Sequence, residues 1–335
     1  MATHFFGIRD RIYSYRNCIG RVAVNGEGFL CPVDLALASN DVAYVVNRSF
    51  EYRPDGLRVT KCTLGGDYLG EFGSGGEGEG QFVWPAAVAV DRDENVYVAD
   101  EWLNRILIYD KDGKFLRSWG KRGSGDGELN GPAGLAFTRD NDLFVVDSRN
   151  NRVQKFTADG RYLGQFGNAG KALGQFNLPW GIGLDKDGNV YVADWRNDRI
   201  QKFTPEGKWV ASCGTSGSGA GQFNRPSGVC VDNDGDIYVA DRQNDRVQVL
   251  TPEGRFITAI TGNAGLSKMG AKQLQANSDM IRQRALALVN DAGAWERALS
   301  YPTAVKADAQ NRIAILDMGR YRIQLYEKSR NATLN

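Results

Sequence analysis

The sequence has a single histidine, His4, near its N-terminal end. A central site therefore has no imidazole to use. That excludes Ser-His-Asp and Cys-His catalysis and a zinc ion held by histidines. The five cysteines, Cys18, Cys31, Cys62, Cys213 and Cys230, are odd in number and widely scattered, without CxxC spacing. Neither a disulfide framework nor a thiolate zinc site is expected from them. They read as small core fillers in a reducing compartment. Charge of one sign is also missing. Lys and Arg number 41 against 40 Asp and Glu, a formal charge of +1. No bulk excess drives nucleic-acid or membrane binding, and only a local basic patch could. No apolar run reaches membrane-spanning length. Met1 to Arg11 lack the basic-then-apolar order of a signal peptide, so a cytoplasmic location is expected. Prolines are few, nine against 41 glycines, which points to many tight turns and not to a flexible linker.

What is present is repetition. Pro85, Pro132, Pro179 and Pro226 open similar segments at a constant spacing of 47, and Asp100, Asp147, Asp194 and Asp241 keep the same interval. Val96–Asp100, Val190–Asp194 and Ile237–Asp241 are near copies ending in Tyr-Val-Ala-Asp. Asn104-Arg105, Asn151-Arg152, Asp198-Arg199 and Asp245-Arg246 follow them. Each copy reads as four short strands. In the third these are Pro179 to Asp185, Tyr191 to Asp194, Arg199 to Phe203 and Lys208 to Cys213, with turns at Asp187-Gly188-Asn189 and Pro205-Glu206-Gly207. Four antiparallel strands per repeat make a propeller blade. Weaker copies begin at Pro32, with Asn47 and Arg58, and at Pro302, with Asp317 and Arg322. The last copy stops short of its fourth strand. Gly20 precedes Pro32 as Gly73 precedes Pro85, so Tyr13 to Ile19 should supply that strand and close a six-bladed, all-β ring.

The strand-end Tyr-Val-Ala-Asp, the Asn/Asp-Arg step and Ile200-Gln-Lys-Phe203 resemble the NHL repeat, and the resemblance spans nearly the whole chain. It implies a six-bladed β-propeller. It implies no single function, because NHL propellers include RNA-binding domains, sensor domains, protein-interaction platforms and a zinc-dependent peptide lyase. The lyase holds its zinc with histidines, which this chain lacks.

The chain is expected to be one domain, 1–335. Two departures from its period are informative. Pro32 to Pro85 is six residues longer than the repeat, between Asn47 and Arg58. Pro226 to Pro302 is twenty-nine longer, between Ile260 and Pro302. Both fall in loops that share the top face of a propeller, the face carrying second-to-third and fourth-to-first strand connections. The segment 262–300 reads as helical: Lys268 to Ala276, then Met280 to Val289 after Asn277-Ser278-Asp279, with Ile281, Ala285 and Leu288 on one stripe. A lid over the funnel is one reading, and a helical pair that packs on the rim and only stabilises it is the other.

Top-face positions vary while their flanks repeat. They include Arg48, Trp84, Glu101, Trp102, Arg149, Trp180, Trp195, Arg196, Arg225, Arg242 and Tyr301. Aromatic walls with several arginines suit an anionic ligand with an apolar or aromatic body. The repeated Asp and Arg, such as Asp194 with Arg199, are expected to be structural, since one site needs no copy per blade. Asp232-Asn-Asp234-Gly-Asp236 resembles the start of an EF-hand loop, but Gln243 stands at its twelfth position, and a hairpin turn is the reading. Gly73-x-Gly75-x-x-Gly78 opens no helix and is a loop, not a phosphate cradle. The first functional expectation is a binding module for a small molecule or peptide in the top funnel, with no cofactor. The second is a hydrolase or lyase working through carboxylates such as Glu101, with an axial calcium near Asn47, Glu101 and Asp317 as its metal-dependent form. The third is a scaffold for protein or RNA, of which nucleic acid is the less favoured partner because Glu101 and the large insertion interrupt the basic face.

Overall fold

Val96–Asp100, Val190–Asp194 and Ile237–Asp241 are buried at every residue. A strand without an exposed face must lie between two layers. The computed structural model, which describes residues 5–6, 11–49, 54–275, 279, 282 and 296–330, meets that demand with a ring of six antiparallel sheets. Blade one is Pro32–Leu37, Val42–Asn47, Arg58–Thr63 and Tyr68–Phe72, from the axis outwards. Blades two to five repeat this order, beginning at Pro85, Pro132, Ile182 and Pro226. Facing blades bury apolar layers between them. The seam between blades three and four holds Phe144, Val146, Val153, Phe176, Ile182, Val192 and Phe203.

Ring closure follows the register read from Gly20. Arg11–Ile19 pairs antiparallel with Arg322–Arg330, with Ile19 opposite Ile323 and Tyr13 opposite Lys328. Phe5–Phe6 adds a short strand outside it. Blade four departs from expectation at its inner strand, which is Ile182–Leu184 and not 179–185. Inner strands crowd together here. A Cβ on Gly181 would lie 2.4 Å from the Ser227 carbonyl oxygen, so only glycine fits.

The glycine that ends each outer strand has a similar cause. Gly73, Gly167 and Gly214 have positive φ and carry the rings of Phe82, Phe176 and Phe223 against their Cα. At Gly167 (φ +85°) an added Cβ would meet the Phe176 ring at 2.3 Å. Gly167→Ala is expected to cost about 2 kcal/mol, from the left-handed backbone together with the displaced ring. Urea denaturation checks this; an unchanged midpoint would refute the steric account.

The insertion is partly described. Its first helix, Lys268–Gln275, matches the expected 268–276. It does not lie over the funnel. Met269 is buried in the seam of blades six and one with Ile19, Cys62, Leu64 and Leu325. Ser267 Oγ donates to the Gly20 carbonyl, Lys268 pairs with Asp67, and Lys272 reaches Glu27 at 2.5 Å. The helix therefore lies against the closing strand and the outer turn of blade one, because its one buried apolar side chain finds its partners there. The expected second helix, 280–289, lies outside the described residues.

Candidate functional site

The top loops are assembled from buried polar groups. Asp147, Asp194, Asp241 and Asp317 are fully buried and accept the Nε–H of Arg152, Arg199, Arg246 and Arg322 at 2.8, 2.8, 2.8 and 2.9 Å. Gln154, Gln201, Gln248 and Gln324 donate to the same carboxylates. A carboxylate with such partners orders its loop and has little left for a ligand. This is the structural role expected from repetition.

The Asn/Asp before each Arg has a different task. Asn104, Asn151, Asp198 and Asp245 adopt left-handed backbone and accept the N–H of Gly131, Leu178, Arg225 and Tyr301, each on the next blade. Leu178, Arg225 and Tyr301 are themselves held at φ +49°, +55° and +51°. Bulky residues enter that region at a cost of about 1–2 kcal/mol. The cross-blade hydrogen bonds hold them there, and they fix where Arg225 and Tyr301 leave the backbone.

Two groups of side chains meet at the mouth. Arg48 of blade one donates to Glu101 of blade two (3.2 Å) and, through Nε, to the Pro85 carbonyl (3.1 Å). Arg149 of blade three donates to the other Glu101 oxygen at 3.0 Å. The guanidinium carbon of Arg48 lies 4.7 Å from the Trp84 ring centre and 5.7 Å from that of Trp180, on the opposite blade. Arg48 and Trp180 thus link opposite blades across the mouth. The Trp180 and Trp195 rings stand 6.4 Å apart. Arg225 and Arg196 lie over Trp195 at 4.6 and 5.6 Å. Burial lowers the Arg48 guanidinium to about 10, opposed by Glu101 and reinforced by Arg242. It remains charged at neutral pH. Burial also lowers Arg242, whose Nε is buried and has no hydrogen-bond partner among the described residues.

The mouth therefore has two electrostatic halves. On blades one to three, Arg48 and Arg149 share Glu101. On blades four and five stand Arg196 and Arg225, both over Trp195, and Arg242, and none of the three has a carboxylate within ion-pair distance among the described residues. Tyr301 adjoins Arg242. Trp102 stands apart: it is 62 % exposed and its ring makes no aromatic or cation contact among the described residues.

Sequence reading missed one feature of the axis. Below the mouth, inner strands present Ala87, Gly134, Gly181, Gly228 and Ala304, but blade one places Asp34 in that row. Lys306 breaks the small-residue row below it. The two approach to 3.8 Å, and Asp34 also accepts the Val88 N–H at 2.9 Å. Burial raises the Asp34 carboxyl above its usual range, opposed by Lys306. The channel cavity is about 20 Å³, room for one water. The channel below the mouth thus has no room for an organic ligand. The signal was available, since these are charged residues in rows otherwise filled by Ala, Gly and Cys.

The expected calcium set does not form. Asn47 accepts the Leu30 N–H and donates to Val45, Arg58 and Thr60. Asp317 is engaged by Ser300, Arg322 and Gln324. Glu101 is held by two arginines. Among the described residues no cluster of three His, Cys, Asp or Glu side chains could hold a metal. No described helix is long and apolar enough to cross a membrane.

Residues 223–250 match the model of the NHL repeat, and residues 125–219 match the SMP-30/Gluconolactonase/LRE-like region. No protein of curated function matches the chain in sequence. Many solved structures share its fold, among them the following three. A protein of unknown function from Bacteroides thetaiotaomicron superposes with a TM-score of 0.65 at 17% identity, over 95% of this chain and 76% of that one. A gluconolactonase from Xanthomonas campestris gives 0.60 at 15%, over 95% and 90%. A catalytically inactive histidine-to-alanine variant of virginiamycin B lyase from Staphylococcus aureus, with quinupristin, gives 0.56 at 14%, over 95% and 88%. At such identities the likeness is one of fold.

Proposed function

We propose that this six-bladed β-propeller of NHL-type repeats is a binding module, and that its top-face mouth holds an organic anion with an aromatic or apolar body. The observation that carries the reading is the set Arg196, Arg225 and Arg242 on blades four and five, the first two over Trp195, which pairs with Trp180: three guanidinium groups without a carboxylate partner among the described residues. An anion would complete their hydrogen bonds, and the indoles would take the apolar part. A peptide bearing an acidic group satisfies the same chemistry.

The match of 125–219 to a lactonase region favours a second reading, a hydrolase or lyase in the same mouth. Its support in the residues is weaker. The Staphylococcus lyase is inactivated by loss of a histidine, whereas the one histidine here is His4. The mouth carboxylate Glu101 is neutralised by Arg48 and Arg149.

The test uses 8-anilinonaphthalene-1-sulfonate, an aromatic anion whose fluorescence reports binding. Saturable binding is expected, weakened about tenfold or more by Arg225→Gln or Arg242→Gln, the loss of one charge-assisted hydrogen bond. Arg330→Gln, on the opposite face, should leave it unchanged. Equal affinity in all three variants would remove the anion site from this half of the mouth.

A further inference from the structure

Beside the mouth, in the seam of blades one and two, lies a cavity of about 160 Å³ lined by Arg48, Pro54, Leu57, Gly76, Phe82, Val83 and Trp84. Among the described residues, Arg48 is its one charged or polar side chain. That guanidinium already donates to Glu101 and to the Pro85 carbonyl. The cavity thus makes no demand for a negative charge. A carboxylate placed inside would lose its water and gain one shared cation in return, whereas a hydrocarbon would replace poorly solvated space with contacts.

Size decides what fits. An apolar cavity of about 150 Å³ accommodates benzene. Arg48 and Trp84 line this cavity and also form one wall of the mouth, where Arg48 continues to Trp180. The mouth and the cavity therefore adjoin across Arg48 and Trp84. Blades one and two also differ from the others in the residues that lock their top loops. Thr60 and Leu107 stand where later blades have the locking glutamines, such as Gln154 and Gln201.

We infer that this cavity is a subsite for an uncharged ring of benzene size, carried by the anion that the arginines of blades four and five bind. The inference rests on the proposed reading for its anionic end, but the cavity can be tested alone. It makes the ligand amphipathic and asymmetric, with its ring toward blade one and its charge toward blade five.

The probe is fluorobenzene, neutral and of the right size, followed by fluorine NMR on the full chain. Wild type should bind it saturably. Val83→Phe, which fills the cavity, should weaken binding at least tenfold, and Arg242→Gln should leave it unchanged. Leu57→Ala enlarges the cavity and should reverse the preference between fluorobenzene and 1-fluoronaphthalene, which keeps the test decisive if Val83→Phe fails to fold. Absence of saturable binding, or equal binding in Val83→Phe with an unaltered melting curve, overturns the subsite. Fluorobenzene binding without any arginine dependence of the sulfonate probe would leave the subsite standing and remove the anion reading.

Discussion

Replacing Lys328 by methionine is expected to destabilise the ring by about 3–5 kcal/mol, the usual result of removing one partner from a buried ionic cluster. The Lys328 ammonium is 2 % exposed and lies 2.6, 2.8 and 2.7 Å from carboxylate oxygens of Asp232, Asp234 and Asp236. Asp232 and Asp236 are fully buried on the same measure. Arg11 holds Asp236 with two hydrogen bonds, at 2.6 and 3.0 Å, and Tyr238 donates to Asp232 at 2.9 Å. The three aspartates belong to the hairpin turn of blade five. Lys328 and Arg11 belong to the C-terminal strand of blade six and to the N-terminal strand that closes it. The cluster therefore fastens the closure to its neighbour. Methionine keeps most of the side-chain volume but leaves the three carboxylates with the partly exposed Arg11 on Asp236 and the exposed Arg330 on Asp234. By contrast Arg330, 66 % exposed over Asp234, should cost at most about 1 kcal/mol when replaced by methionine.

The pH dependence provides a second readout with a definite sign. Hydrogen bonding to Lys328 holds the Asp234 carboxyl below its ordinary value of 3.8. A depressed carboxylate contributes stability that is present above its unfolded value and lost as pH falls through the folded one. In wild type this contribution should therefore decline below about pH 4. In Lys328→Met the Asp234 carboxyl loses the hydrogen bond that lowers it and faces two neighbouring carboxylates, so its protonation should relieve strain, and the deficit relative to wild type should shrink between pH 6 and pH 4. Urea denaturation across that range measures both. A deficit independent of pH would mean that lost packing, not charge, is responsible.

Much of this cluster could be read in the sequence as a turn, and none of it as a lock. Asp232, Asp234 and Asp236 announce a hairpin because alternate aspartates accept backbone N–H groups, as Asp232 does from Asp234 and Asp236. Their common partner is on a strand almost a hundred residues later, and no local pattern points to it. The same division runs through the molecule. The period, the blade count, the closing strand and the structural role of the repeated Asp and Arg were legible, because each is a local rule stated several times. The placement of Lys268–Gln275 was not. Loop membership assigned it to the top, whereas Met269 sits with Ile19 and Cys62 on the outer seam. The mouth was legible as a set of residues but not as an arrangement. Which arginines are neutralised depends on Arg48 and Arg149 both reaching Glu101, and on Arg48 crossing to Trp180. These are contacts between different blades at positions where the repeat does not repeat.

That distinction predicts unequal effects from equal substitutions. Arg199→Met is expected to cost about 3–5 kcal/mol, and Arg105→Met much less, although the two arginines occupy the same place in the repeat. Asp194 is fully buried and relies on side chains: Arg199 Nε at 2.8 Å, Asn197 at 2.9 Å and Gln201 at 3.2 Å, with one backbone N–H from Asn177 at 2.7 Å. Without Arg199 its charge has no cationic partner. Asp100 is equally buried but is held by backbone. It accepts N–H groups from Val83 at 2.7 Å, Trp84 at 3.2 Å, Trp102 at 3.0 Å and Leu103 at 3.0 Å. Four oriented amides stabilise a carboxylate without a cation. Arg105 instead donates through Nη2 to the carbonyls of Glu77, Gly78 and Gln81, which solvent can partly replace, and its Nε has no partner among the described residues. The cause is visible in the loop. Leu103 replaces the asparagine found at 150, 197 and 244, and Leu107 replaces the glutamine at 154, 201 and 248. Blade two has thus exchanged side-chain locks for amide locks, and the altered loop is the one that presents Glu101 to Arg48 and Arg149. Urea midpoints of the two variants decide the matter. A cost for Arg105→Met equal to that of Arg199→Met would show that the arginine acts through its carbonyl contacts in every blade, and that the ion pair with aspartate contributes little to holding the top loops.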